Sequence, residues 1–166
     1  MKNYLTTIII CIIASSCKIN YTFSGASYSA DINTFTVAFF QNQAPIINPS
    51  LSNVFTESLK DRISQQTKLK LSQKDGDLYY EGEIINYNVS PQTIQGNETA
   101  ALNRLIISVR VKFTNNKNSS QNFDRTFTQF ADYESSKAFQ SVEDELVKEI
   151  VDKLTQDIFN ASLVNW

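Results

Sequence analysis

The segment Arg104–Phe113, RLIISVRVKF, is the stretch of the chain that decides the fold. Its odd-numbered residues, from Leu105 to Phe113, are all apolar, while its even-numbered residues are mostly polar. Alternation with a period of two is typical of a β-strand with one buried and one solvated face. Antiparallel sheets are often covered on a single face in this way. The pattern therefore predicts an antiparallel sheet whose second face is wet.

Segments on both sides of this strand complete the predicted element order. Further strands are predicted at 31–40, 78–89 and 122–133, the last after an Asn- and Ser-rich turn. Apolar residues at helical spacing predict one helix after Pro49 and a second helix with Ser141 as its N-cap. Leu69–Ser72 could add a short strand, and Gly82 indicates a bulge or a close backbone approach.

The resulting order, β-α-β-β-β-α, predicts an α+β fold. We expect a two-layer sandwich in which two helices pack on one face of a mainly antiparallel four-stranded sheet.

The N-terminal residues have the features of an export signal. Lys2 precedes an apolar run, Tyr4–Ile13, which is about half the roughly 20 residues needed to span a membrane. Small residues, Ala14-Ser15-Ser16, then precede Cys17, as at the cleavage site of a signal peptide. Lipoprotein signal peptidase recognises a Cys in this position, although Leu is more usual than Ala14 three residues before it. We therefore expect Cys17 to carry covalent diacylglycerol and acyl chains such as palmitate; the alternative is an ordinary cleaved signal with an incidental Cys.

The expected organisation is a lipoprotein signal peptide at 1–16, a lipidated tether at 17–33 and a single domain at 34–166. Apart from Cys17, the part after the signal has no Cys, so no disulfide framework is expected. The formal charge of −2 provides no basic stripe for nucleic acid.

The composition excludes several kinds of catalytic site. The chain has no His and only four Gly, which are scattered singly. This excludes Ser-His-Asp and Cys-His systems, the HExxH zinc helix and a phosphate-cradling glycine loop. Glu81 and Glu83 share one face of a strand, and we interpret them as a solvated edge; an enzyme that uses this pair is an alternative. We expect no catalytic residue, no metal site, no cofactor beyond the lipid and no enzymatic activity.

Basic residues gather on the polar face of the strongest strand. Arg104, Arg110 and Lys112 share that face, and Arg125 on the neighbouring strand is expected to join them. Their guanidinium and ammonium groups could bind phosphate or carboxylate. The alternative, which the residues alone favour, is that they solubilise the face and pair with Glu81 and Glu83.

Three segments resemble the LptE family of lipopolysaccharide-assembly lipoproteins. The most specific is 145–166, ELVKEIVDKLTQDIFNASLVNW; the others are 78–87, LYYEGEIINY, and Ala38-Phe39-Phe40 followed by a Pro-containing loop and a helix. The resemblance covers nearly all of the chain after the signal.

The resemblance implies a non-enzymatic lipoprotein that is anchored in the outer membrane and faces the periplasm. Such a protein plugs the β-barrel translocon LptD, helps it to assemble and contacts lipopolysaccharide. Arg104, Arg110, Lys112 and Arg125 are then candidate lipopolysaccharide-binding residues, and 90–99 and 115–120 are candidate tips that meet the barrel wall. The alternative function is that of a generic exported lipoprotein that binds a small ligand or inhibits an enzyme.

Overall fold

The computed structural model describes residues 28–46, 48–92 and 101–164. The expected signal peptide, Cys17 and most of the expected tether lie outside these residues, as does most of the 90–99 tip. The elements, in chain order, are β1 (Thr34–Val37), β2 (Gln41–Asn42), α1 (Leu51–Gln66), β3 (Lys70–Leu71), β4 (Leu78–Gln92), β5 (Leu102–Asn115), β6 (Phe123–Glu134) and α2 (Phe139–Leu163). A 3₁₀ turn, Ser119–Gln121, lies between β5 and β6.

The strands form one mixed six-stranded sheet with the order β3-β1-β4-β5-β6, in which β2 also pairs with β4. β1 is parallel to β3 and β4, β2 is parallel to β4, and only β4, β5 and β6 pair antiparallel. The α+β class is confirmed, and the short strand near Leu69 is present. The sheet differs from the expected one in having six strands and three short parallel pairings, because α1 carries the chain back to the starting end of β1 and so makes parallel pairing possible.

Of the predicted strand at 31–40, only β1 (Thr34–Val37) forms, and β2 begins just beyond it, at Gln41 in the predicted loop. β1 and β2 lie along the same edge of β4, and the chain breaks between them at residues 38–40. Phe40 turns into the core, with no exposed surface, whereas Phe39 is 54% exposed. The N–H of Phe40 donates to Thr56 Oγ1 on α1 at 3.1 Å. The break thus replaces one ladder hydrogen bond with a contact to the helix.

The core lies between the helices and the inner face of the sheet. The inward residues of β5 are buried as predicted, with at most 1% exposure from Leu105 to Phe113. The apolar stripe of α2 is also buried, except that Val142 is only partly so. Tyr80 on β4 donates to Ser162 Oγ on α2 at 2.9 Å, so the buried hydroxyl has a partner. Both helices therefore cover the same face of the sheet.

The second helix begins earlier than predicted. Ala138 is the N-cap residue and α2 starts at Phe139, while the Ser141 hydroxyl donates to the Ala138 carbonyl at 2.7 Å. The Phe139 ring lies 6.5 Å from that of Tyr87 and 5.9 Å from that of Tyr133, measured between centroids. Because this aromatic packing holds the first turn against the sheet, the helix extends beyond the position that capping preference indicates.

Gly82 lies at a close backbone approach, as predicted. A Cβ at this position would lie 2.0 Å from the Arg110 carbonyl oxygen and 2.7 Å from the Phe40 ring. The register of β4 against β5 shifts nearby, between Ile84 and Asn86. Glycine is therefore required here by space rather than by a special backbone angle.

Candidate functional site

The candidate site is the face of β4, β5 and β6 that points away from both helices, here called the outer face. Residues directly opposite each other on neighbouring strands share a face, so the register defines its members. They are Tyr79, Glu81, Glu83, Asn86, Asn88, Ser90 and Gln92 on β4; Leu102, Arg104, Ile106, Ser108, Arg110, Lys112 and Thr114 on β5; and Asp124, Thr126, Thr128, Phe130, Asp132 and Glu134 on β6. No other described element packs on this face.

Two arginines of β5 make two-point contacts with aspartates of β6. Arg110 donates from Nε and Nη2 to the two carboxylate oxygens of Asp124, at 2.9 and 2.8 Å. Arg104 donates in the same way to Asp132, at 2.7 and 2.8 Å. The planar guanidinium matches the carboxylate in this geometry, which fixes both side chains.

The third cation, Lys112, pairs with a carboxylate of β4 rather than of β6. Its Nζ lies 2.6 Å from Glu81 Oε1 on β4. The side chains of Lys112 and Arg110 are more than half exposed, at 58% and 55%. Ion pairs this exposed contribute little to stability, so their value lies in orienting the groups.

These pairs change the protonation behaviour of both partners. Hydrogen bonding to Asp132, Asp124 and Glu81 raises the pKa values of Arg104, Arg110 and Lys112 respectively. The same hydrogen bonds lower the pKa values of Asp124 and Asp132. All three cations therefore stay charged and already have an anionic partner.

The outer face is not a basic patch. Five carboxylates, on β4 and β6, accompany the three cations of β5. The formal charge of the face is therefore negative. These contacts agree with the alternative interpretation of the sequence, in which the cations pair with neighbouring carboxylates. Of the two carboxylates named there, only Glu81 is a partner; Asp124 and Asp132 supply the other two.

Arg104 differs from the other two cations in its surroundings. Its guanidinium carbon lies 3.7 Å from the centroid of the Phe130 ring, a cation–π distance. Its side chain is 28% exposed. Arg104 therefore contacts both a carboxylate and an aromatic ring, and it is less exposed than Arg110.

Arg125 does not join the outer face. It lies opposite Val111, whose side chain is buried in the core. The Arg125 side chain therefore points to the helix side of β6, with its guanidinium carbon 5.3 Å from the centroid of the Phe123 ring. The expectation that Arg125 extends the basic patch is wrong because alternation along β6 places it on the opposite face from Asp124 and Thr126.

Sequence reasoning missed Asp124 and Asp132 as members of the site. Their spacing along the chain equals that of Arg104 and Lys112. In an antiparallel pair with the right register, each Asp then lies opposite one of these cations, as the structure has it. Matching the spacing of opposite charges on neighbouring strands would have found both residues.

Among the described residues, no group of three or more His, Cys, Asp or Glu side chains is placed to hold a metal ion. Within the same ranges, no helix combines the length and apolar character needed to cross a bilayer. The ion pairs of the outer face can bind other polar groups. Their side chains do not include a nucleophile with a base beside it.

The solved structures that are similar to this chain are distant in sequence. A hypothetical protein from Chlamydia trachomatis is 10% identical, with a TM-score of 0.51, and the match covers 76% of this chain and 93% of that one. A protein from Xanthomonas campestris is 11% identical, with a TM-score of 0.50, covering 77% and 83%. The rare lipoprotein B from Shewanella oneidensis is 15% identical, with a TM-score of 0.45, covering 78% and 92%.

No curated protein matches the sequence closely enough to count as a relative. The LptE family model, described as lipopolysaccharide-assembly, matches residues 32–162, which include every strand and nearly all of α2. This match spans most of the chain and agrees with the resemblance of segments 78–87 and 145–166. The chain therefore belongs to the LptE family of lipopolysaccharide-assembly proteins.

Proposed function

We propose that this chain is a non-enzymatic, lipid-anchored lipoprotein of the outer membrane that faces the periplasm, plugs an LptD-like β-barrel and assists its assembly. The observation that carries the proposal is the LptE family match over residues 32–162. Cys17 is the proposed anchor, and lipoprotein modification would supply the two or more acyl chains that stable anchoring needs. Residues 1–16 are the proposed signal peptide and 17–33 the tether to a single domain.

The outer face suits a protein inside a barrel. The lumen of a large outer-membrane barrel is polar and water-filled. The outer face presents paired charges, hydroxyls and amides over three long strands, and a plug needs such a surface more than an apolar one. Hydroxyls in the middle of the face, such as Ser108 and Thr128, pair with each other at 2.9 Å.

Co-purification tests this proposal. The full chain, tagged at its C-terminus, is extracted from membranes of its own host with a mild detergent and purified. We expect a large β-barrel protein to co-purify. Recovery of the lone chain would contradict the proposal and favour the alternative, an exported lipoprotein that binds a small ligand or inhibits an enzyme.

Contact with lipopolysaccharide is a second part of the proposal. Arg104, Arg110 and Lys112 remain its candidate residues, but any phosphate must compete with Asp132, Asp124 and Glu81 for them. Bidentate guanidinium groups bind phosphate as well as carboxylate, so an exchange of partners is chemically reasonable. Arg125 is a separate candidate on the helix side of β6.

Two variants and a matched control test the lipopolysaccharide contact. We expect replacement of Arg104, Arg110 and Lys112 by Gln to weaken binding of purified lipopolysaccharide about tenfold or more, since it removes three cations that can donate charge-assisted hydrogen bonds to phosphate. We expect Asp124→Asn, which frees Arg110, to strengthen it. The control removes the same charge elsewhere, by replacing with Gln the lysines around β3 (Lys68, Lys70 and Lys74), which have no carboxylate partner in the described chain. Unchanged binding in the first variant, or loss only in the control, would contradict the assignment.

A further inference from the structure

β6 forms the long edge of the sheet. It is the last strand in the order, it has 12 residues, and its pairing with β5 has no register shift. It contains neither Lys nor Pro, and its charged residues are Asp124, Arg125, Asp132 and Glu134. A long, regular edge strand can pair with another chain, and its charges restrict which chain it accepts.

The hydrogen-bond pattern identifies the backbone groups at this free edge. The Tyr80 carbonyl accepts from Ala38 N at 2.8 Å. The backbone groups of Tyr80 therefore point to β1 and away from Phe113, the residue opposite Tyr80 on β5. Backbone groups alternate along a strand, so those of Phe113 point to β6, where they meet Phe123. The even-numbered residues of β6 must then present their N–H and C=O groups outward. These residues are Asp124, Thr126, Thr128, Phe130, Asp132 and Glu134.

A contact from α2 agrees with this assignment. Lys153 Nζ donates to the Phe130 carbonyl at 3.3 Å from outside the sheet. The Lys153 side chain is 44% exposed and also pairs with Glu149 at 2.6 Å. Lys153 thus covers one outward carbonyl of β6 and has Glu149 as a second, shorter contact.

The opposite edge of the sheet is protected in the usual way. β3 has only two residues, Lys70 and Leu71. Lys70 and the flanking Lys68 and Lys74 are all exposed. Short edge strands with lysines discourage pairing. The contrast indicates that β3 discourages any added strand, whereas the charges of β6 restrict which strand it accepts.

A second copy of the chain is a poor occupant of the β6 edge. Two β6 strands related by a two-fold axis pair antiparallel. Because the outward backbone groups belong to even-numbered residues, an even-numbered residue of one copy lies opposite an even-numbered residue of the other. The two registers that use most of the strand place Asp124 opposite either Asp132 or Glu134. Like charges directly opposite are destabilising, so the charges of β6 favour a different partner strand.

We propose that the β6 edge docks an extended segment of the barrel protein, with neutral or basic side chains opposite Asp124 and Asp132. This inference rests on the proposed function, because it takes the barrel as the partner. Strands in the wall of a closed barrel have both edges paired, so the segment is a loop or a terminal arm. Main-chain hydrogen bonds to β6 provide affinity, and the acidic positions select the segment.

Residue-resolved amide hydrogen exchange tests the assignment. The full lipidated chain is compared, free in detergent and in its co-purified complex with the barrel. We expect the outward amides of Thr126, Thr128 and Asp132 to exchange at least about tenfold more slowly in the complex. The inward amides of Phe127 and Gln129 are already paired to β5 and provide the internal control.

A pair of variants supports the exchange measurement. Thr126→Pro removes an outward N–H without removing a bond to β5, a position where an edge strand tolerates Pro. Thr126→Val keeps the N–H. We expect Thr126→Pro, and not Thr126→Val, to reduce the yield of barrel in the complex.

Each outcome decides between the proposals. If a barrel co-purifies but the outward amides exchange as fast as in the free chain, the β6 assignment is wrong and the proposed function stands. Slow outward exchange in the free chain together with a dimeric mass would assign the edge to a second copy instead. If no barrel co-purifies, the proposed function fails and the strand assignment fails with it.

Discussion

Gly82→Ala is expected to be among the most destabilising single methyl additions in the chain. The new Cβ would lie 2.0 Å from the Arg110 carbonyl oxygen and 2.7 Å from the Phe40 ring. The first contact is with backbone, so relief requires β4 and β5 to separate. Overpacking in a well-packed interior costs about 1–3 kcal/mol and occasionally more. We place this substitution at about 3 kcal/mol or above, because the obstacle is a strand and not a flexible side chain.

Urea unfolding of a fragment that starts at residue 28, and so lacks the expected signal and lipidated Cys17, measures the loss of free energy of unfolding. The control is Asn88→Ala, on the same strand but on the outer face, where the side chain is exposed; we expect it to change stability by less than about 0.5 kcal/mol. A Gly82→Ala protein as stable as the control would refute the close approach of β4 to β5. It would also remove the basis for the position of Arg110, whose carbonyl oxygen makes the close contact.

Three further predictions concern single groups. Asp77 accepts from Asn33 N and from the N–H and hydroxyl of Thr34, at 2.9–3.0 Å, and these hydrogen bonds hold its pKa well below the usual 3.8. The contribution of Asp77 to stability is therefore complete above about pH 4 and is lost as the pH falls further. Asp77→Asn should lower the free energy of unfolding by about 1–3 kcal/mol at pH 7 and should flatten the acid limb of a stability–pH profile. Tyr80→Phe removes the donor to Ser162 and should cost about 1 kcal/mol in urea unfolding, with Tyr79→Phe, on the outer face, as a near-neutral control. Cys17→Ser should move the full-length chain from the detergent phase to the aqueous phase in a phase-separation assay, and continued detergent partitioning would contradict lipidation at Cys17.

The predictable parts of the fold are those with long, regular patterns. The alternation from Leu105 to Phe113 identifies β5 and its buried face, and the apolar stripe identifies most of α2. β2 and β3 have two residues each, too few for a clear periodicity, so the sequence indicated β3 only as a possible strand near Leu69 and did not indicate β2. Their parallel pairing depends on where α1 returns the chain, which is a property of tertiary packing.

The sequence predicted the three cations of the candidate site, but it did not predict that the outer face has a negative formal charge. Arg104, Arg110 and Lys112 share a face because they lie an even number of residues apart on one strand. Whether they are free or paired depends on the register of β6, which places Asp124 and Asp132 on the same face and Arg125 on the other. A register is fixed by contacts between strands, and one strand's pattern does not contain it.

The central claim is that the chain sits inside an outer-membrane barrel, and the most direct test is the composition of the complex in which it is found. The tagged full-length chain, purified from its own membranes in mild detergent, is weighed intact by native mass spectrometry. The account predicts one copy of this chain with one copy of a β-barrel protein, and protection of the loop at 115–120 from added trypsin, which would cleave after Lys117 in the free chain. A mass equal to the lipidated chain alone, with Lys117 cut as rapidly as in the free protein, would contradict it.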